Sequence, residues 1–290
     1  MSRIEEILEK ATRLREKGPA PGTESSASAP LKVDLASRPL VSPDYGTYTV
    51  DNKIDVTNPY LVTVTQPQSQ VTEEYKKLKS IIIKMTKGEQ FLNTFMVTST
   101  LGGEGKSITS LNIAMALAQE YDHTVVLVDC DLRRPSIHAY LDIPVGPGLS
   151  DCLVKGVDVG SALVKTGIGK LSVLPAGSRV QNPAELISSA RMRDFITELK
   201  SRYSDRYVII DTPPVLNFAE AHAIGSVVDG AIFVVREGYV PVQHLKDAVE
   251  MLKGVNILGV VYNNVEMTRY NSYRYYGSYG YKGYTADGAA

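Results

Sequence analysis

The chemistry of this chain is concentrated first in nine residues, Ser99-Thr100-Leu101-Gly102-Gly103-Glu104-Gly105-Lys106-Ser107. Glycines at 102, 103 and 105 let successive backbone N–H groups curl around an anion, because no Cβ blocks the approach. Lys106 can reach the terminal phosphates of a nucleotide, and the Ser107 hydroxyl can ligate Mg²⁺. Ahead of the run, Phe95-Met96-Val97-Thr98 reads as a buried strand. Behind it, Ile108, Leu111, Met115 and Ala118 recur at helical spacing. Strand, glycine loop and helix form the setting in which such a loop holds phosphate, since the helix start adds unpaired donors and partial positive charge. The nucleotide-binding set is therefore Gly102, Gly103, Glu104, Gly105, Lys106, Ser107 and Ile108. Thr100 stands where the common pattern has its first glycine.

Two further blocks supply carboxylates. Val125-Val126-Leu127-Val128 is a run of four aliphatics, as in a strand covered on both faces, and it leads into Asp129-Cys130-Asp131-Leu132-Arg133. Asp129 and Asp131 stand two apart, on one side of a strand end, where ligands of parallel sheets bind. Tyr207-Val208-Ile209-Ile210 ends in Asp211-Thr212-Pro213-Pro214, which resembles a Walker B strand, whose terminal Asp holds the metal directly or through water.

Together these blocks, read as Walker A, A′ and B motifs, resemble a bacterial tyrosine kinase, a branch of the P-loop ATPases that position division sites and partition plasmids. The resemblance spans Val71 to the C-terminus. Partition-type ATPases carry a lysine just before the paired glycines, where this chain has Leu101. Within the kinase branch the chain is most similar to stand-alone autokinases associated with exosortase and exopolysaccharide loci. The resemblance implies ATP and Mg²⁺, with Ser107, Asp131 and Asp211 serving the metal. It implies Lys106, Asp129, Asp131 and Asp211 as the catalytic set. Asp129 is assigned to orient the tyrosine hydroxyl or accept its proton, although Asp129 and Asp131 could exchange roles. Arg133 would steady the carboxylates or contact phosphate. In related ATPases an Asn after the last strand recognises adenine, and Asn263 matches that place. The family's Glu-x-x-Arg-x-x-Arg, which joins subunits into a ring, appears here as Glu73, Lys76 and Lys79. Lysine lacks the bidentate fork, which weakens that contact. A separate inner-membrane regulator of polysaccharide chain length is the implied activator.

The C-terminal segment holds Tyr270, Tyr273, Tyr275, Tyr276, Tyr279, Tyr281 and Tyr284, seven of seventeen tyrosines, among Gly, Ser, Asn and basic residues. Such a composition offers no core to offset the entropy of ordering. With the kinase motifs present it reads as a cluster of phosphoacceptors. Each phosphate adds about −1.5 to −2 charges, so modification would turn the segment strongly negative and act as a switch for assembly.

The whole chain of 290 residues has room for one α/β domain of about 200 residues plus extensions. A net charge of −1 gives no global signal for nucleic acid. Cys130 and Cys152 make no disulfide framework, and four scattered histidines show no metal-ligand spacing. No apolar run approaches the roughly 18 residues of a membrane span, and no signal peptide is evident, so a cytoplasmic setting is expected.

Residues 1–17 carry a short amphipathic helix, with Ile4, Ile7, Leu8, Ala11 and Leu14 on one face. Residues 18–70 read as a linker followed by a largely extended stretch, 71–265 as the P-loop domain and 266–290 as a flexible tail. Val71 opens a helix whose stripe is Val71, Tyr75, Leu78 and Ile82. Further strands are expected at Leu171–Gly177, Ala231–Val235 and Ile257–Tyr262, with helices from Pro183 to Tyr203, Ala219 to Val228 and Val242 to Leu252. The alternation predicts a doubly wound, mostly parallel sheet of about six to eight strands. The function implied is an ATP-dependent tyrosine autokinase acting in trans on its own tail. The alternative is a partition-type switch that hydrolyses ATP and recruits partners.

Overall fold

A computed structural model describes residues 54–88 and 91–265. The N-terminal helix, residues 18–53 and the tyrosine cluster lie outside the described residues. The first elements are α1 (Val62–Thr65) and α2 (Gln70–Thr86). Next come β1 (Thr94–Ser99), α3 (Lys106–Ala118), β2 (Thr124–Asp129), α4 (Ile137–Tyr140), α5 (Leu149–Lys155), α6 (Val159–Ala162), β3 (Val164–Lys165) and β4 (Leu171–Leu174). The second half adds α7 (Pro183–Ile187), α8 (Ala190–Ser201), β5 (Arg206–Asp211), α9 (Glu220–Gly225), β6 (Gly230–Arg236), α10 (Val242–Met251) and β7 (Ile257–Asn263).

The strands form one seven-stranded sheet in the order β3-β4-β2-β5-β1-β6-β7. Every pairing is parallel except the short β3–β4 edge. The aliphatic runs of β1, β2 and β5 are buried throughout or nearly so, as a sheet covered on both faces requires. Because these strands run parallel, their carboxyl ends converge on one edge, delivering Ser99, Asp129, Asp211 and Asn263 to the same side. Helix α3 is buried on nearly every face, as a central helix between layers must be.

Several elements differ from the sequence reading, each for a local reason. The stretch from Pro183 to Tyr203 is two helices, because Ser189 adopts extended backbone and caps α8 by accepting from Met192 N at 3.2 Å. Val71 lies on the open side of α2, 44% exposed, while Thr72 turns inward and donates to the Val62 and Gln66 carbonyls. The inward stripe of α2 therefore starts at Thr72 and continues through Tyr75, Leu78 and Ile82.

Residues 54–70, expected to be extended, instead carry α1 and lie against the domain. Ile54 N donates to Thr166 O at 3.0 Å, and Leu61 is fully buried. The anchor is Asn112 on α3. Its Oδ1 accepts from Thr63 N and Thr63 Oγ1, and its Nδ2 donates to Tyr60 O. Asn112→Ala leaves buried donors unmatched and is expected to lower stability by about 2 kcal/mol. Urea unfolding checks this, and an unchanged midpoint would show that the segment is held otherwise.

Candidate active site

Between β1 and α3 the phosphate loop is shaped by two left-handed glycines, Gly103 at φ 89° and Gly105 at φ 91°. Gly105 also caps α3, so the loop passes directly into a helix start with its free N–H groups. Glu104 does not face outward. Its side chain is fully buried, with Oε1 accepting from Leu101 N at 2.7 Å and Oε2 from Arg236 N at 3.2 Å. Burial, opposed by those amides, raises its carboxyl above the ordinary value. Glu104 thus enters the nucleotide set through its backbone, and its side chain ties the loop to the end of β6. A Cβ on Gly105 would run into Asn263 Nδ2, on top of the unfavourable φ. Gly105→Ala is expected to weaken nucleotide affinity about tenfold or more, read by equilibrium titration, since both loop and bracing side chain must shift.

Lys106 sits at the mouth of the loop. Its Nζ lies 2.9 Å from Asp131 Oδ2, 3.9 Å from Asp211 Oδ2 and 3.2 Å from Ser107 Oγ. Burial works against its charge, but the carboxylates of Asp211 and Asp131 outweigh burial, and the net pKa stands above the usual lysine value. Asp211 is fully buried. Its Oδ1 accepts from Ser110 Oγ at 3.1 Å, whereas its Oδ2 has no hydrogen-bond partner. Burial raises its pKa, with Lys106 opposing.

These groups suit a bound Mg²⁺. Two buried carboxylates, Asp131 and Asp211, face one ammonium, one oxygen of Asp211 is orphaned, and the Ser107 hydroxyl stands 3.2 Å from that ammonium. Among the described residues no group of three acidic, His or Cys side chains could hold a metal unaided. Mg²⁺ needs no such cage, because it is usually held by one or two carboxylates together with substrate phosphates and water.

Asp129 is placed differently from its neighbours. Its Oδ1 accepts from Asp131 N, and its Oδ2 from Ser136 N and Ile137 N, at 3.1–3.2 Å. Burial, then the charge of Asp211, pushes its carboxyl up to about 7. Both oxygens are engaged in pinning the turn between β2 and α4, and the side chain is fully buried. Asp131 has one oxygen on Arg134 N and the other on Lys106, at the mouth of the loop. Of the two open assignments, this geometry favours Asp131 for contact with substrate.

Comparison with known proteins agrees with this frame. A family model described as ParA, NUBPL iron-transfer P-loop NTPase, matches residues 90–286. Tyrosine-protein kinase YwqD of Bacillus subtilis (strain 168) is 32% identical over 220 residues, covering 75% of this chain and 91% of that protein. Putative tyrosine-protein kinase CapB of Staphylococcus aureus is 30% identical over 213 residues, covering 73% and 92%. The solved kinase domain of Escherichia coli tyrosine kinase ETK superposes with a TM-score of 0.66 at 26% identity, covering 79% of this chain and 84% of that one. The chain belongs to the bacterial tyrosine-kinase family.

For a bacterial tyrosine kinase, the described residues bring together Lys106, Ser107, Asp129, Asp131 and Asp211 as the sequence proposes. Arg133 is drawn elsewhere: its Nε donates to the buried Glu220 at 2.7 Å, and its guanidinium lies 4.5 Å from the Phe218 ring centroid. That hydrogen bond goes to α9 instead of to the aspartates, and it steadies the A′ turn from there. Asn263 lies under the phosphate loop, with Nδ2 donating to Glu104 O at 2.9 Å. Glu73 pairs with Lys76 at 2.6 Å, and Lys79 pairs with Glu120. Sequence reasoning missed Ser110, Glu220, Arg236 and Tyr239. Ser110 follows Lys106 by one helical turn and Arg236 ends a parallel strand, so both carried a positional signal.

Proposed function

We propose that the chain is an ATP-dependent protein-tyrosine kinase that modifies copies of itself at Tyr270, Tyr273, Tyr275, Tyr276, Tyr279, Tyr281 and Tyr284. The observation that carries this reading is Lys106, held between Asp131 and Asp211 at the mouth of a glycine loop, in a chain 32% identical to a named tyrosine kinase. The amides from Gly102 to Ser107 bind the phosphates of ATP, and Lys106 neutralises charge on the outer two. Mg²⁺, when bound, neutralises and aligns the phosphates. Ser107 and Asp211 are the groups that would hold it, with Asp131 as a further ligand or as acceptor of the phenolic proton. Asp129 keeps Asp131 in place. Asn263, with its amide nitrogen on the loop, retains a carbonyl oxygen with which to meet adenine.

Strand β7 ends at Asn263, whose side chain touches the phosphate loop, so the described residues end within two positions of a site contact. That proximity supports the tail as acceptor. Transfer in trans within a ring follows the family resemblance, and ring formation would require Glu73, Lys76 and Lys79 to exchange their present partners. A rate per enzyme independent of protein concentration would exclude transfer between dissociating subunits. No described helix is long and apolar enough to cross a membrane. A separate inner-membrane regulator of polysaccharide chain length is the activator we propose, with the kinase at the cytoplasmic face and exopolysaccharide synthesis as the regulated process.

The match to the ParA family model keeps one rival in view, a hydrolytic switch without phosphotyrosine. An anti-phosphotyrosine blot run beside a phosphate-release assay separates them. The kinase reading requires phosphotyrosine that depends on Mg·ATP, and phosphate release without it would favour the switch.

A further inference from the structure

Three consecutive carbonyls of the phosphate loop are held from outside the loop. Tyr239 Oη donates to Gly102 O at 3.1 Å, Arg236 Nη1 to Gly103 O at 3.3 Å, and Asn263 Nδ2 to Glu104 O at 2.9 Å. The backbone N–H of Arg236 also holds the Glu104 carboxylate, whose other oxygen accepts from Leu101 N. All three donors come from the carboxyl ends of β6 and β7 and the turn after β6. The Arg236 guanidinium lies 5.0 Å from the Tyr239 ring centroid, so the two side chains brace one another. Contact with the loop is close enough that a Cβ on Gly103 would stand 3.0 Å from Tyr239 Oη.

Within each planar trans peptide unit the C=O of one residue and the N–H of the next point in opposite directions. Capping the carbonyls of residues 102–104 from the β6–β7 side therefore turns the following amides toward the other side, where a phosphate binds. A short loop with two left-handed glycines has many conformations open to it, and most would scatter those amides. Resting on the nucleotide-binding reading above, we propose that Arg236, Tyr239 and Asn263 form a positioning bracket that preorganises the amide nest for the phosphates of a nucleoside di- or triphosphate. The bracket acts on the loop and touches no reacting atom. Its contribution lies in nucleotide affinity, because it removes an ordering cost from binding and leaves the transfer step alone.

The test uses the full chain with Mg²⁺ and a fluorescent N-methylanthraniloyl ADP as probe. Tyr239→Phe deletes only the hydroxyl. Arg236→Ala deletes the guanidinium while its backbone N–H stays on Glu104. Each variant is expected to weaken probe binding about three- to tenfold, the effect of one lost hydrogen bond. Arg236→Lys, which restores a donor, is expected to recover part of the loss. KM for ATP should rise in parallel with kcat within about twofold, melting temperature should hold, and amides of residues 102–106 should exchange faster. Unchanged probe affinity in both variants overturns the bracket. So does a fall in affinity accompanied by an equal fall in thermal stability, which would mark a general packing role. Because the readout is nucleotide binding, the bracket can fail while phosphotyrosine forms, and the kinase reading can fail while the bracket stands.

Discussion

Lys106→Ala is expected to reduce tyrosine phosphorylation by about a thousandfold or more, the scale for removing a preorganised charge from a transition state. The ammonium stands 2.9 Å from Asp131 and 3.9 Å from Asp211, so its removal does two things. It strips the loop of the cation that meets the outer phosphates. It also leaves two buried carboxylates facing one another without that counter-charge. Breaking a buried pair costs about 3–5 kcal/mol when the remaining charge cannot relax. Here the carboxyl of Asp211 is already raised by burial and can take up a proton. The stability loss should therefore be smaller at pH 5 than at pH 8, whereas the activity loss should be severe at both. Phosphotyrosine yield and thermal melting at the two pH values check these outcomes separately. Near-wild-type phosphotyrosine in the variant would remove Lys106 from the active site.

The second large effect concerns Asp129. Asp129→Ala deprives the amides of Asp131, Ser136 and Ile137 of their acceptor, so the turn carrying Asp131 loses its anchor. Misplacing a reacting group by about 1 Å can cost about a hundredfold, and a fall of that size in phosphotransfer is expected with nucleotide still bound. Loss of nucleotide binding to the same degree would instead place Asp129 on the metal or the phosphates. A pH series gives an independent reading. The folded-state pKa is raised from 3.8 to about 7 by burial and by Asp211, with Ile137, Ser136 and Lys106 opposing. The folded chain thus retains a proton that the unfolded chain releases. The stability linked to this group is complete below about pH 4 and declines as pH rises through about 7. Asp129→Asn does not titrate, and its amide nitrogen leaves one set of these backbone N–H groups without an acceptor at every pH. Its stability relative to wild type should still rise from pH 5 to pH 8 in urea unfolding. A constant difference across that range would show that Asp129 is ionised throughout.

The parts of this site that were legible in the sequence are those where chemistry dictates residue type locally. A nest of amides demands glycines, and parallel strands covered on both faces demand unbroken aliphatic runs that end where carboxylates can meet a ligand. Hence the motifs around Gly103, Gly105, Lys106, Asp131 and Asp211 could be recognised, their assembly into one site followed from the family resemblance, and six of the seven strands could be found. The seventh, Val164–Lys165, is two residues long and shows no alternation to read. What the sequence hid depends on side chains reaching across long separations. Asn112 grips Thr63 from 49 positions away, and Glu104 reaches Arg236 from 132. Neither contact has periodicity, so no sequence signal marks α1 within the stretch expected to be extended, and none shows that the Glu104 carboxylate ties the loop to the end of β6. Arg133 shows the same limit, because its partner Glu220 lies 87 positions on, at the start of a six-residue helix.

Autophosphorylation of the tail is most directly tested by mass spectrometry of the purified full chain after incubation with Mg·ATP carrying an isotopically labelled γ-phosphate, with Lys106→Ala as control. Wild type is predicted to carry label on tyrosines between Tyr270 and Tyr284, and the variant almost none. Label recovered wholly as inorganic phosphate, with no labelled tyrosine even when an activating membrane partner is supplied, would contradict the assignment.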